Sequence, residues 1–497
     1  MPLLLRLRGL FIQTHNNEYD EDAMSLDNVS EAGNKDVNDM VDIGNVDEEM
    51  SFETDWHQYE SDIEPTYEES LVEDEQIIEP KEVKIDYSTV DDPVLQTSLK
   101  IFQYAKKKGV SREALDGIIS MVNNHMKAYC SEAPLLYSHY KSKERLTKRF
   151  PIKAKEFDVC KNGCVLYDEN AQIDEKCSNS KCEGNKIDAK KMMYLPLIDQ
   201  LALLVNDKET FELLKSPRKN EERSDVLYGV FDGTLGERLP KVYSKKKGRL
   251  VIYLGLFADG FQIFKNGQHT MTAFHLIILN LPEVIRTESK YMLQVCIVPG
   301  PTSPKDFFSF VKPIMKELMI LEREGFKLAG SNMTINAHLL FAGGDIPACA
   351  KLAGQSGHTH PSGCRCCTIK AVRTEGRNVF YPSNSIAYRT KASFTMTDVD
   401  SGQKLPTPFA GLKRFHGAFF FPVDLMHLFG CNVGPQIARL ITTDDFSIDK
   451  RCQHPLRLTS KDIQNINSLL RLSCPLVPTT FSGVIENVES VYNRAVD

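Results

Sequence analysis

An α/β chain built on a mixed sheet is what this sequence predicts, on three observations. Asp259 closes the apolar run Arg249–Phe257, and Asp345 closes the apolar run Met333–Phe341. The spacing of 86 positions between the two leaves room for two more strands and a helix. Both carboxylates would then stand at strand ends, held rigidly at a sheet edge, which is what a pair of divalent cations needs to organise phosphoryl transfer. A lone strand-end Asp is ordinarily a cap or turn residue. The pair, in this order of elements, is the layout of an RNase H-like core.

The elements can be justified in order. Residues 1–93 carry 27 acidic and 5 basic side chains and from about residue 14 show no hydrophobic periodicity, so this segment is expected to be disordered. Taking those from the totals of 67 acids and 60 bases leaves 40 and 55 on residues 94–497, a net of +15. A phosphate-backbone binder needs such a body, although scattered solvated lysines give the same sum. No run approaches the roughly 18 apolar residues of a membrane span, and two arginines interrupt the apolar opening, which is not a secretory signal.

Residues 94–155 read as a helical, basic segment. Leu95, Leu99, Phe102 and Tyr104, then Leu115, Ile118, Ile119, Met121 and Val122, recur at three- and four-residue steps. The basic run Tyr140–Lys155 follows, as a DNA-facing helix, a nuclear import signal or a solvated face. Residues 156–190 hold Cys160-x3-Cys164 and Cys177-x4-Cys182. Two close pairs suit a tetrahedral zinc ribbon, and four thiolates leave no open position, so the role is structural. Thirteen cysteines without a secretion signal fit metal ligation in a reducing compartment better than disulfides.

Residues 191–248 read as a helical linker, with one or two apolar helices over Met192–Lys219. Lys245-Lys-Lys-Gly-Arg249 is either a phosphate contact or a charged turn. Residues 249–357 are the first part of the core. Strands Leu250–Phe257, His269–Leu281 and Tyr291–Val298 come first, and Pro299-Gly300-Pro301 ends the third. A helix with Phe307, Val311, Ile314, Leu318 and Leu321 on one face follows, which Pro313 kinks or shortens. A fourth strand delivers Asp345, and Pro347 opens another helix. Residues 358–430 read as an inserted zinc-binding subdomain, because Cys364 and Cys367 have knuckle spacing. His358 or His360 could contribute there, with His427 the natural further ligand and His416 a lesser choice. Residues 431–497 are the C-terminal helical part of the core, incomplete. The chain has no Walker glycine loop and no Gly-x-Ser-x-Gly elbow, so an NTP-driven enzyme and a serine hydrolase have no support.

Ala258–Phe261, Val298–Pro304, Gly344–Ala348, Cys364-x2-Cys367 and Asp424-Leu-Met-His427 together resemble the CACTA (En/Spm-type) DNA transposases of the DDE/D superfamily. The likeness runs from roughly Leu135 to the C-terminus, and the upstream ribbon looks like theirs as well. It implies an RNase H-like transposase that cuts and joins phosphodiester bonds at transposon ends with Mg²⁺ (or Mn²⁺), and that carries Zn²⁺. By motif, Asp259 and Asp345 would be the first two metal-binding carboxylates, and Cys364, Cys367 and His427 ligands of the zinc subdomain. The third acid lies on a later helix in such enzymes. Asp497 is similar to it, Glu486 and Glu489 are alternatives, and Asp424 is structural. The chain stops there, which suggests a C-terminally truncated copy or a split gene model. The implied partners are double-stranded DNA of terminal repeats and further copies of the chain on paired ends, in the nucleus and away from membranes. Two rivals share these residues: an inactive, zinc-stabilised DNA-binding or protein-interaction module derived from a transposase, and an RNase H-like nuclease acting on RNA or structured DNA.

Overall fold

A computed structural model of the chain describes residues 80–84, 92–149, 152–215, 229–233, 236, 239–262, 270–301, 303–374, 377–381, 386–442, 456–474 and 487–488. They fall into two compact units, one ending at Pro422 and the other beginning at Val423.

A mixed sheet of nine strands organises the larger unit. Its strands are β1 (Lys81–Val83), β2 (Lys155–Val159), β3 (Lys190–Tyr194), β4 (Tyr243–Ser244), β5 (Arg249–Gln262), β6 (Thr270–Ile278), β7 (Leu293–Val298), β8 (Phe326–Leu328) and β9 (Thr334–Gly343). Helices α1 (Pro93–Lys107), α2 (Arg112–Tyr129) and α3 (His139–Arg149) precede β2, and α4 (Leu197–Val205) and α5 (Lys208–Lys215) follow β3. The short α6 (Glu283–Arg286) joins β6 to β7, α7 (Phe307–Arg323) joins β7 to β8, and α8 (Ile346–Ala353) follows β9. Eight strands lie in the row β1-β8-β9-β5-β6-β7-β3-β2, and β4 pairs with β5. Strands β5, β6 and β7 are antiparallel neighbours; the chain then crosses by α7 and β8 and returns as β9, parallel to β5. The β-β-β-α-β-α order read from the sequence is present, with the short α6 and β8 inserted.

Strand β5 is buried from Leu250 to Leu256, so it reads as one apolar run instead of an alternation. Leu250, Ile252, Leu254 and Leu256 share the main core with Phe310, Val311, Ile314, Leu318 and Leu321 of α7. Val251 and Tyr253, on the other face, join Phe231, Leu279 and Leu340. Helix α7 begins at Phe307, where the Asp306 carboxylate accepts from the Ser309 amide at 3.2 Å. Pro313 therefore sits inside the helix and does not delay its start.

Five features differ from the sequence reading. Lys81–Val83, inside the segment expected to be disordered, forms β1 in parallel with β8, and Val83 is buried. Met192–Tyr194 is strand, because Met192 and Tyr194 point inward and Tyr194 pairs with Cys296 of β7; the apolar helices begin only at Leu197. Strand β5 continues past Asp259 to Gln262, because β6 extends the ladder to Thr270. In α1 and α2, Leu95, Leu99, Leu115 and Ile119 are buried, whereas Tyr104, Ile118, Met121 and Val122 are exposed. The range read as an inserted subdomain contains the unit boundary at Pro422. Within it Phe394, Phe409, Phe415, Phe420 and Phe421 pack into the main core, with ring centroids 5.1–6.1 Å apart.

The smaller unit holds a π-helical stretch, Met426–Val433, continued by α9 (Gly434–Thr442), and α10 (Ser460–Ser473). Thr459 and Asp462 cap α10 reciprocally. Among the described residues no helix is long and apolar enough to cross a membrane.

Candidate functional site

Phe257 pairs with Gly343 in the parallel β5–β9 ladder, so Asp259 and Asp345 each lie two residues beyond the same rung. Between them Gly344 fits against the neighbouring strand: a Cβ there would lie 2.5 Å from the Ala258 carbonyl oxygen. A side chain at 344 would push the chain after β9 away from β5, so glycine is required for Asp345 to stay beside that strand. Asp259 is exposed, whereas Asp345 is half-buried. One Asp345 oxygen caps α8 by accepting from the Ala348 amide at 2.7 Å, and Pro347 occupies the first turn. The cap uses Oδ1 and holds the carboxylate in place. On the same face His275 stacks on Phe257, ring centroids 5.8 Å apart and planes 15° apart. Burial holds its imidazole below the ordinary value, against the charge of Asp259.

An exposed carboxylate on β5 and a half-buried one just past the end of β9, both two residues beyond one rung, offer the oxygen donors a hard divalent cation takes. Asp497, Glu486 and Glu489, the candidates for a third acid, lie outside the described residues. The basic run Lys245–Lys247 forms the β4–β5 turn, where Gly248 takes φ +56°. It lies at the opposite end of β5, ten residues from Asp259 counting from Arg249; at about 3.3 Å per residue that is about 33 Å. Lys351 feels the charge of Asp345 and of Lys305, and the sequence reading missed both lysines. Their only sequence signal is proximity to motif residues: Lys305 follows Pro304, and Lys351 stands six positions after Asp345.

The sulfurs of Cys160, Cys164, Cys177 and Cys182 all lie within 4.8 Å of one another. Two turns bring them there. Gly163, at φ +73°, donates its amide to the Cys160 carbonyl at 2.7 Å, and the Cys182 amide reaches the Asn179 carbonyl at 2.8 Å. Asn162 donates to the Cys182 sulfur at 3.2 Å, which with the Gly184 amide lowers that thiol to about 6. Burial pushes Cys177 up to about 12 and raises Cys164, as expected of thiols gathered out of water. Four sulfurs at this spacing suit tetrahedral zinc, whose bonds to sulfur are about 2.3 Å. The cluster is tied to the sheet, since β2 ends at Val159 and β3 begins at Lys190. The Tyr194 hydroxyl further donates to Glu317 of α7 at 2.5 Å.

The second cysteine group is different. Cys364 and Cys367 are 3.3 Å apart, and the hydrogen bond from the Cys367 thiol lowers Cys364 to about 5 while raising Cys367. Arg389, 2% exposed, donates to the carbonyls of Cys364 at 3.0 Å, Ser362 at 3.3 Å and Ser401 at 2.5 Å. Among the described residues the structure gathers three or more metal-ligating atoms only at the Cys160 cluster. His358 is exposed, His360 accepts from the Ser362 amide at 3.1 Å, and the His416 ring nitrogen lies 3.0 Å from the Arg414 carbonyl. His427 belongs to the smaller unit, where its Nδ1 is 2.6 Å from Asp424 Oδ2, so Asp424 orients that ring.

Residues 238–399 match a transposase family. The matching model is Transposase_21, described as transposase family tnp2, and it covers 162 of the 497 residues. The matched segment contains Asp259, Asp345, Cys364 and Cys367, and leaves out the ribbon and His427. A search of curated proteins finds no match. The family match supports a transposase function in general, and with it an association with DNA.

Proposed function

We propose that the chain is a DDE/D-type DNA transposase of the CACTA (En/Spm) kind, with an RNase H-like core that cuts and joins phosphodiester bonds at transposon ends in the nucleus. The observation that carries this reading is the shared rung behind Asp259 and Asp345 on adjacent parallel strands, inside the segment that matches the transposase family. Further support comes from the strand order β7-β6-β5-β9, three antiparallel strands followed by a parallel return, which an RNase H-like core requires.

In this reading Asp259 and Asp345, with a third acid, would hold two Mg²⁺ or Mn²⁺ ions. Such ions supply Lewis-acid stabilisation of the phosphate and a more acidic attacking water or 3′-hydroxyl. The chain's own contribution is position. The Gly344 contact keeps Asp345 beside β5, the α8 cap fixes the Asp345 rotamer, and Phe257 with His275 limits water on one side. Cys160, Cys164, Cys177 and Cys182 would hold a structural Zn²⁺, and Cys364 and Cys367 would contribute two thiolates to a second zinc site. The substrate is double-stranded DNA of the terminal repeats, held by more than one copy of the chain.

The test is Mg²⁺- or Mn²⁺-dependent cleavage of duplex DNA carrying the flanking element's ends, with Asp259→Asn and Asp345→Asn in parallel. Nicking by the wild type that both substitutions abolish supports the reading. Nicking that survives both would remove Asp259 and Asp345 from the chemistry.

A further inference from the structure

We infer that Lys305 and Lys351, with the Ser303 hydroxyl between them, form a phosphate-binding patch beside Asp345 that grips the backbone of the DNA strand entering the site. This rests on the transposase reading of that site and adds to it a substrate contact.

Lys351 lies on α8, whose cap is Asp345, and its Nζ donates to Ser303 Oγ at 2.7 Å. Its ammonium feels two neighbours of opposite sign, the Asp345 carboxylate and the Lys305 ammonium. Among the described residues neither lysine forms an ion pair within 4.0 Å. Lys351 spends one N–H on a neutral hydroxyl, and the repulsion it feels from Lys305 is one that an arriving anion would relieve. Lys351 has further N–H groups to donate, and the Ser303 hydroxyl keeps its own hydrogen.

The loop that presents these groups is clamped from three directions before any ligand arrives. The Thr270 amide donates to the Pro301 carbonyl at 2.9 Å, and Lys190 Nζ donates to the Gly300 carbonyl at 3.2 Å. The Lys305 and Asp306 amides both donate to the Cys164 carbonyl of the ribbon, at 3.0 and 2.9 Å. Pro304, between Ser303 and Lys305, is buried. Cationic and hydroxyl donors on a preorganised loop, next to carboxylates suited to bridging cations, match a phosphodiester.

The experiment measures binding of the full chain to duplex DNA across a salt series, with Ca²⁺ in place of Mg²⁺. Lys305→Gln, Lys351→Gln and the charge-keeping Lys351→Arg are compared with wild type. Each Gln variant is expected to flatten the slope of log affinity against log salt by about 1 and to weaken binding about tenfold at low salt, while Lys351→Arg keeps the wild-type slope. Wild-type slopes in both Gln variants, or a wild type that does not bind duplex DNA, overturn the patch. The slope is read without cleavage, so the two proposals separate. Lysine-dependent slopes in a protein that never cuts DNA would support the patch and sink the catalytic reading; cutting with unchanged slopes would sink the patch alone.

Discussion

The two cysteine groups of this chain look alike in sequence and are built in different ways. Around Cys160, Cys164, Cys177 and Cys182 the buried neighbours are few, chiefly Val165 and Tyr167, and the thiols themselves form most of the local core. Around Cys364 and Cys367 the backbone is held by the Arg389 guanidinium, and the chain that follows is buried through five phenylalanines. Close cysteine pairs therefore do not by themselves say how much a fold depends on a metal. What matters is how much else holds the turn.

The largest expected effect tests that difference directly. Chelation or Cys177→Ser should release zinc and unfold residues 160–190, since structural zinc supplies about 10–16 kcal/mol in zinc-finger peptides. Hydrogen exchange at the Lys305 and Asp306 amides should rise with it, because both donate to the Cys164 carbonyl. Cys364→Ser should shift Tm far less; an equal loss would erase the contrast. Next in size, Phe420→Ala should cost about 3–5 kcal/mol in denaturant unfolding, as a buried ring at the centre of the cluster. Arg389→Met should cost about 2–3 kcal/mol by leaving three carbonyls without donors, and a neutral result would mean that the knuckle is held by something else.

The smallest effect is a pH dependence of the core outside both cysteine groups. Burial keeps His338 and His416 below the ordinary histidine value, at His338 against a 3.4 Å contact with Glu322. The unfolded chain then binds more protons than the folded one below about pH 6.5, so stability is full above that pH and falls as the solution is acidified. Denaturant midpoints at descending pH should fall, and less steeply in His338→Gln. A midpoint that rises on acidification would contradict the assignment.

Much of this architecture was legible from residues alone, where a local rule and the packing agree. The apolar runs of β5 and β9, the face of α7 and the two cysteine pairs of the ribbon are such cases. What escaped the reading depends on distant partners. Lys81–Val83 is a strand only because β8 lies beside it, and Met192 is in a strand because β7 completes it. The phenylalanines of 394–421 carry no helical or strand period, so nothing in their spacing announced that they join the main core. Lys305 and Lys351 are 46 positions apart in the chain, one on the loop clamped at Cys164 and the other on α8, which Ser303 joins to that loop.

The central claim is that Asp259 and Asp345 act as one metal site, and Mn²⁺ binding to the full chain, followed by electron paramagnetic resonance, tests it most directly. Asparagine is the right substitution, because it removes the charge while still capping α8 at position 345. The account predicts that wild type binds Mn²⁺ and that Asp259→Asn and Asp345→Asn each weaken binding by at least about tenfold with the thermal transition unchanged. Wild-type Mn²⁺ affinity in both variants would contradict it.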